Sequence, residues 1–82
     1  MNTAGTIRNK VQELARSLGK NPAGLNDDDM LPQVGLLDSA SILELIVWVE
    51  TEFNLEIDQD DLSLDNFGSI RRMTEYIQAR TP

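Results

Sequence analysis

At 82 residues the chain has surface enough for one modest core, so a single domain over residues 1–82 is expected. With 40% hydrophobic residues but only one Trp, one Tyr and two Phe, it lacks the aromatic density of a small β domain, and an all-α fold is expected. A formal net charge of -7 argues against a nucleic-acid or anionic-lipid partner, and zero Cys with zero His removes thiolate metal sites, cysteine nucleophiles and the usual general base together.

In chain order, residues 1–10 carry no apolar h-region behind their charges, and no apolar run approaches the ~20 residues of a membrane span; a cytoplasmic monomer is expected. From about Thr6 to Leu18, Ile7, Val11, Leu14, Ala15 and Leu18 recur at helical spacing, with Gly19 as the stop. Gly, Pro, Asn and Asp then accumulate from Lys20 to Leu37, which predicts a long loop pinned to the core by Leu25, Met30, Leu31 and Val34. Between Ser39 and Phe53 the residues Ile42, Leu45, Ile46, Val49 and Phe53 fall within about 100° on a helical wheel and form a core stripe. Leu43 and Val47 make a second strip about 100 to 140° round the wheel, beside Glu50 and near Ala40, Glu44 and Thr51. A short helical turn around Leu62 to Phe67 and a last helix from about Gly68 to Ala79, with Ile70, Met73 and Ile77 inward, complete a small four-helix bundle of three longer helices and one short.

Asp and Ser are favoured helix N-caps, and Ser41-Ile42-Leu43-Glu44 fits the capping-box pattern S-x-x-E, which frees Ser39 from capping. "NDDDM" and "DQDD" invite a calcium reading. An EF-hand begun at Asp58 would put Ser63 at the glycine position and Ser69 at the bidentate glutamate position, so no metal site is expected. Trp48, on the flank of its helix, is expected to pack rather than stack on cargo. Arg71, Arg72 and Arg80 are expected to form a solvated face, with Arg72 and Tyr76 at i, i+4 spacing.

The run "GLLDSASILELIVWVETEFNLEI" resembles the phosphopantetheine-attachment region of acyl and peptidyl carrier proteins, through Gly35, Asp38, Ser39, Glu44, Leu45, Glu52 and Phe53. The likeness extends over nearly the whole chain, with "LDNFGSIRRMTEYI" where that family has its short third helix and its fourth. It implies that Ser39, next to the motif residue Asp38, takes 4'-phosphopantetheine from coenzyme A through a separate phosphopantetheinyl transferase. The thiol of the arm would then carry cargo as a thioester, and the protein itself would be no enzyme. It also implies that Ala40, Leu43, Glu44, Val47, Glu50 and Thr51 dock partners with basic patches, namely an acyl- or aminoacyl-activating ligase and downstream transferases. Ala40 and Thr51 depart from fatty-acid carriers, which usually have Leu or Met and a second acid there. "GLLDS" and "NFGSI" look more like stand-alone carriers of amino-acid-activating or secondary-metabolic enzymes, including the D-alanyl type.

Two alternatives stay open on the sequence. The bundle could be an unmodified interaction or regulatory subunit in which Ser39 is only a cap, and Leu43 and Val47 could be buried against the long loop. A serine hydrolase is set aside, because no base is available to activate Ser39.

Overall fold

The computed structural model describes residues 2–80; the termini of the expected 1–82 domain lie outside the described residues. Its first helix, α1 (Thr3–Ser17), starts three residues before the apolar stripe would place it. The reason is a cap: the Asn2 carboxamide oxygen accepts from the Gly5 N–H at 2.9 Å, which satisfies one of the unpaired donors at a helix start. The other end closes with Gly19 at φ 76°, where the Gly19 N–H reaches Arg16 O (3.0 Å) and the Lys20 N–H reaches Ala15 O (2.9 Å). That pairing needs a left-handed residue, so glycine is the stop as predicted. Ile7, Val11, Leu14 and Ala15 are buried, while Leu18, already in the cap, is exposed.

The loop from residue 20 to 37 is part of the core. Leu25 and Leu31 are buried as expected and Met30 is half-buried. Val34 is 49% exposed, contrary to expectation, and the buried pair Leu36 and Leu37 does its work instead. Polar ties add to the apolar ones. Arg8 donates to Leu25 O at 2.8 Å and pairs with Asp27, while the Arg71 N–H reaches Asp27 O at 2.9 Å and the Arg71 guanidinium pairs with Asp28. The Leu31 N–H bonds to Gly68 O at 2.8 Å, and a Cβ on Gly68 would lie 2.4 Å from Met30 Cε and 2.5 Å from the backbone oxygen of Leu64, which cannot give way as the Met30 side chain can. Glycine is required there by space rather than by φ.

Helix α2 (Ser39–Glu52) lays Ile42, Leu45, Ile46 and Val49 into the core, and Phe53 at its C-cap is half-buried, as its stripe predicts. The capping box does not form in the expected place. Asp38 is the N-cap, its Oδ1 accepting from the Ser41 N–H at 2.9 Å, so Ser41 is a buried recipient of the cap and Ser39 is the first residue of the helix. Asp38 and Ser41 both fit a cap by type; what decides is that Asp38 stands one residue before the helix with extended backbone (φ -96°, ψ -178°). Asn54, at φ 53°, ends the helix, with the Leu55 N–H on Glu50 O at 3.0 Å. Trp48 is half-buried, edge-on to Phe53 at 5.9 Å between centroids with the Lys10 ammonium 5.9 Å from its ring, which is the packing role expected of it.

A 3-10 turn (Gln59–Asp61), not predicted, precedes α3 (Leu64–Phe67) and α4 (Ile70–Arg80). Helix α3 begins two residues later than the sequence reading has it, because Leu62 ends the 3-10 turn and Ser63 is the residue before the helix. Helix α4 likewise begins at Ile70, since Gly68 still closes α3. Ile70, Met73 and Ile77 are buried as predicted, and Tyr76 joins them. The arginines are exposed, as expected of a solvated face, and each also finds a partner. Arg71 pairs with Asp28, Arg72 donates to Asp65 O at 3.0 Å, and Arg80 rather than Arg72 lies over the Tyr76 ring, 3.6 Å from its centroid. Arg71 meets a carboxylate 43 residues away, which helical spacing does not reveal, whereas Arg80 and Tyr76 form an i, i+4 pair. Helix α1 packs on α4 and α2, and α3 on α4; among the described residues there is no strand, so the all-α bundle of three longer helices and one short holds.

Candidate functional site

Ser39 is exposed at the first position of α2, where helix N–H groups point outward and the dipole end is positive. Asp38 beside it has its carboxyl held below the usual carboxylate range, first by the Ser41 backbone N–H, then by the Ser41 hydroxyl, against a smaller opposing effect of burial. A carboxylate stabilised in its ionised form and occupied with capping is a poor proton acceptor. With no histidine in the chain, nothing here turns Ser39 into a self-activated nucleophile. The hydroxyl is suited to receiving a group from an enzyme that brings its own base.

Two grooves meet at this serine. One, of about 360 Å³, is apolar: Ile42, Leu43 and Ile46 of α2 face Leu62 and Leu64, with Pro32 of the long loop at one end. The other, of about 470 Å³ and more polar, runs past Lys20, Gly35, Leu37 and Asp38. Ser39 and Pro32 line both.

The outer strip of α2 lies open. Leu43 is 57% and Val47 60% exposed, which settles the alternative in favour of solvent over burial against the loop. Ala40, Glu44 and Thr51 are exposed with them. Glu50 stands apart: it is half-buried, and its Oε2 accepts from the Ile57 N–H at 3.1 Å, so it also holds the segment after α2. Sequence reading did not find the Leu62 and Leu64 side of the groove. Its one signal was the apolar, polar, apolar order of Leu62-Ser63-Leu64 in an otherwise acidic stretch.

Residues 10–77 match the family described as "Phosphopantetheine attachment site". The chain belongs to the phosphopantetheine-binding carrier proteins. It is also similar to a protein of Bradyrhizobium diazoefficiens named "Aminoacyl carrier protein 2", 34% identical over 79 residues that cover 93% of this chain and 88% of the relative. The protein is therefore a carrier, not an enzyme: it holds acyl or aminoacyl cargo on a covalent 4'-phosphopantetheine arm, and the reading of an unmodified bundle is not favoured.

The residues present fit such an arm. The chain has no cysteine, and the arm, once attached, supplies the thiol on which cargo is held as a thioester. An exposed hydroxyl at a helix N-terminus suits a phosphodiester, because N–H groups and the positive dipole end favour an anion there. As a carrier it interacts with a phosphopantetheinyl transferase and with biosynthetic enzymes. Among the described residues, no helix of the carrier is long and apolar enough to cross a membrane.

Proposed function

We propose that Ser39 is the residue that bears the 4'-phosphopantetheine arm and that the cargo is an aminoacyl group. The observation that carries the first part is the position of Ser39: an exposed hydroxyl at the start of α2, released from capping by Asp38 and opening onto both grooves. The aminoacyl cargo is supported by the name of the Bradyrhizobium relative and by Ala40 and Thr51, which depart from fatty-acid carriers. Asp38 serves the site by starting the helix.

Ala40, Leu43, Glu44, Val47 and Thr51 form the face that meets partner enzymes, with Glu50 at its edge. Leu43 and Val47 offer apolar contact. The acidic side chains meet Arg or Lys on an aminoacyl-activating ligase or a downstream transferase, contributing encounter rate and register more than affinity. The carrier works as a cytoplasmic monomer, a reading supported by its net charge of -7, which opposes self-association.

Incubation with coenzyme A and a broad-specificity phosphopantetheinyl transferase tests the attachment residue. One phosphopantetheinyl group should appear by intact mass, and Ser39→Ala should abolish the gain while the protein keeps its helical circular dichroism. No gain in the wild-type protein, under conditions that modify a control carrier, contradicts the proposal. For cargo, the modified protein isolated from its own host should carry an aminoacyl mass on the thiol.

A further inference from the structure

The side of the apolar groove opposite α2 is formed by residues that directly follow Asp61. Burial does not hold this segment: the 3-10 turn buries none of its residues, and Leu62 and Leu64 are 41% and 48% exposed. Its far end runs into α3, which the buried Phe67 anchors; before Leu64 its attachments are polar. The Tyr76 hydroxyl donates to Asp61 Oδ2 at 2.8 Å, and Arg80 Nη2 donates to the same oxygen at 3.3 Å. Asn66 Nδ2 donates to the Asp61 carbonyl at 2.9 Å. The Arg80 guanidinium lies 3.6 Å from the centroid of the Tyr76 ring, whose own place is set by packing on the fully buried Phe67 at 4.8 Å between centroids. Burial and then the bond to Asp61 raise the Tyr76 pKa, so the donated proton stays on the phenol oxygen.

We propose that Asp61, Tyr76 and Arg80 are positioning residues that fix the Leu62 to Leu64 wall of the groove, and through it the surface that the phosphopantetheinyl transferase meets on its way to Ser39. None of the three lines the groove. They act because Asp61 is covalently next to Leu62, and Ser39, Leu43, Leu62 and Leu64 border one opening. An enzyme that places its active centre on the Ser39 hydroxyl has to cover that rim. A loosened wall must be ordered on docking, which opposes binding, whereas the hydroxyl itself is held by α2 and the Asp38 cap and reacts as before.

The inference rests on Ser39 as attachment residue only for its kinetic readout, and the test separates the two. Tyr76→Phe keeps the ring packing and removes the donated hydrogen; Asp61→Ala removes the acceptor; Asp61→Asn retains a carbonyl oxygen that can accept. In the unmodified protein, amide hydrogen exchange should quicken by about five- to tenfold at Leu62 and Ser63 in Tyr76→Phe and Asp61→Ala, the exchange equivalent of one lost hydrogen bond. Those amides bond to Gln59 O (3.1 Å) and Asp61 O (2.9 Å). Exchange at Leu45 and Val49 should be unchanged once global stability is taken into account. In transferase assays KM for the carrier should rise by roughly threefold or more with kcat unchanged, and Asp61→Asn should recover most of the loss. Equal acceleration at all four amides, or an unaltered KM, would overturn the proposal. If the wild-type protein is not modified at all, the Ser39 reading fails while the exchange data still decide whether the cluster holds the wall.

Discussion

The apolar groove beside Ser39 is reached by two connecting segments built in opposite ways. The long loop, residues 20 to 37, buries Leu25, Leu31, Leu36 and Leu37 and is tied by Arg8 to α1 and by Arg71 and Gly68 to the last helices. The segment from residue 54 to 63 half-buries Leu55 and Ile57 at its start but leaves its 3-10 turn on the surface, attached by single side-chain bonds from Glu50, Asn66, Tyr76 and Arg80. The first wall belongs to the core and moves only if the fold does. The second is held by a few hydrogen bonds, each worth on the order of 1 kcal/mol, and can change without unfolding the protein.

Mutations can break or sharpen that contrast. The largest effect is expected at Leu31, fully buried in the long loop: Leu31→Ala should destabilise by ~2–5 kcal/mol in denaturant unfolding, leaving a cavity the loop cannot close. At the junction of the same loop with α2, Asp38→Ala removes the cap and should lower Tm by about 4–8 °C. Because the Asp38 pKa is lowered in the folded protein, its contribution is present above the ordinary carboxylate pKa and is lost as pH falls through the folded value. The mutant and the parent should therefore converge in Tm under acid conditions.

On the second segment the effects are smaller. Tyr76 has a raised pKa in the folded state, so its contribution is full below the ordinary tyrosine value of about 10 and is lost as pH rises beyond it, because the unfolded chain ionises first. Parent and Tyr76→Phe should differ in unfolding free energy at neutral pH and draw together in alkali. Leu62→Ala, on the exposed rim, should fall within about ±0.5 kcal/mol of the parent. A large loss there would place the second wall in the core and remove the contrast.

Where the chain is periodic, its structure could be read in advance. The stripe from Ile42 to Val49 and the opposing pair Leu43 and Val47 differ by position on one wheel, and burial sorts them as that wheel does. The long loop has no period, so which of its apolar residues turn inward depends on where the chain doubles back, and Val34 and Leu36 exchange roles. Capping was legible by residue type but not by position, since Asp38 and Ser41 both qualify until backbone dihedrals choose. Arg71, Arg80 and Tyr76 meet partners brought close by the fold: Arg71 to Asp28, and Arg80 and Tyr76 to Asp61. The candidate serine was legible through its neighbourhood, whereas the rim at Leu62 and Leu64 was not, because exposed residues leave no stripe.

The central claim, that a carrier with no thiol of its own acquires one at Ser39, is tested most directly by mass mapping of protein isolated from its own host. One 4'-phosphopantetheine group is expected, located by fragmentation on Ser39 itself. A protein with unmodified Ser39, or with the arm on another serine such as Ser41 or Ser63, would contradict it.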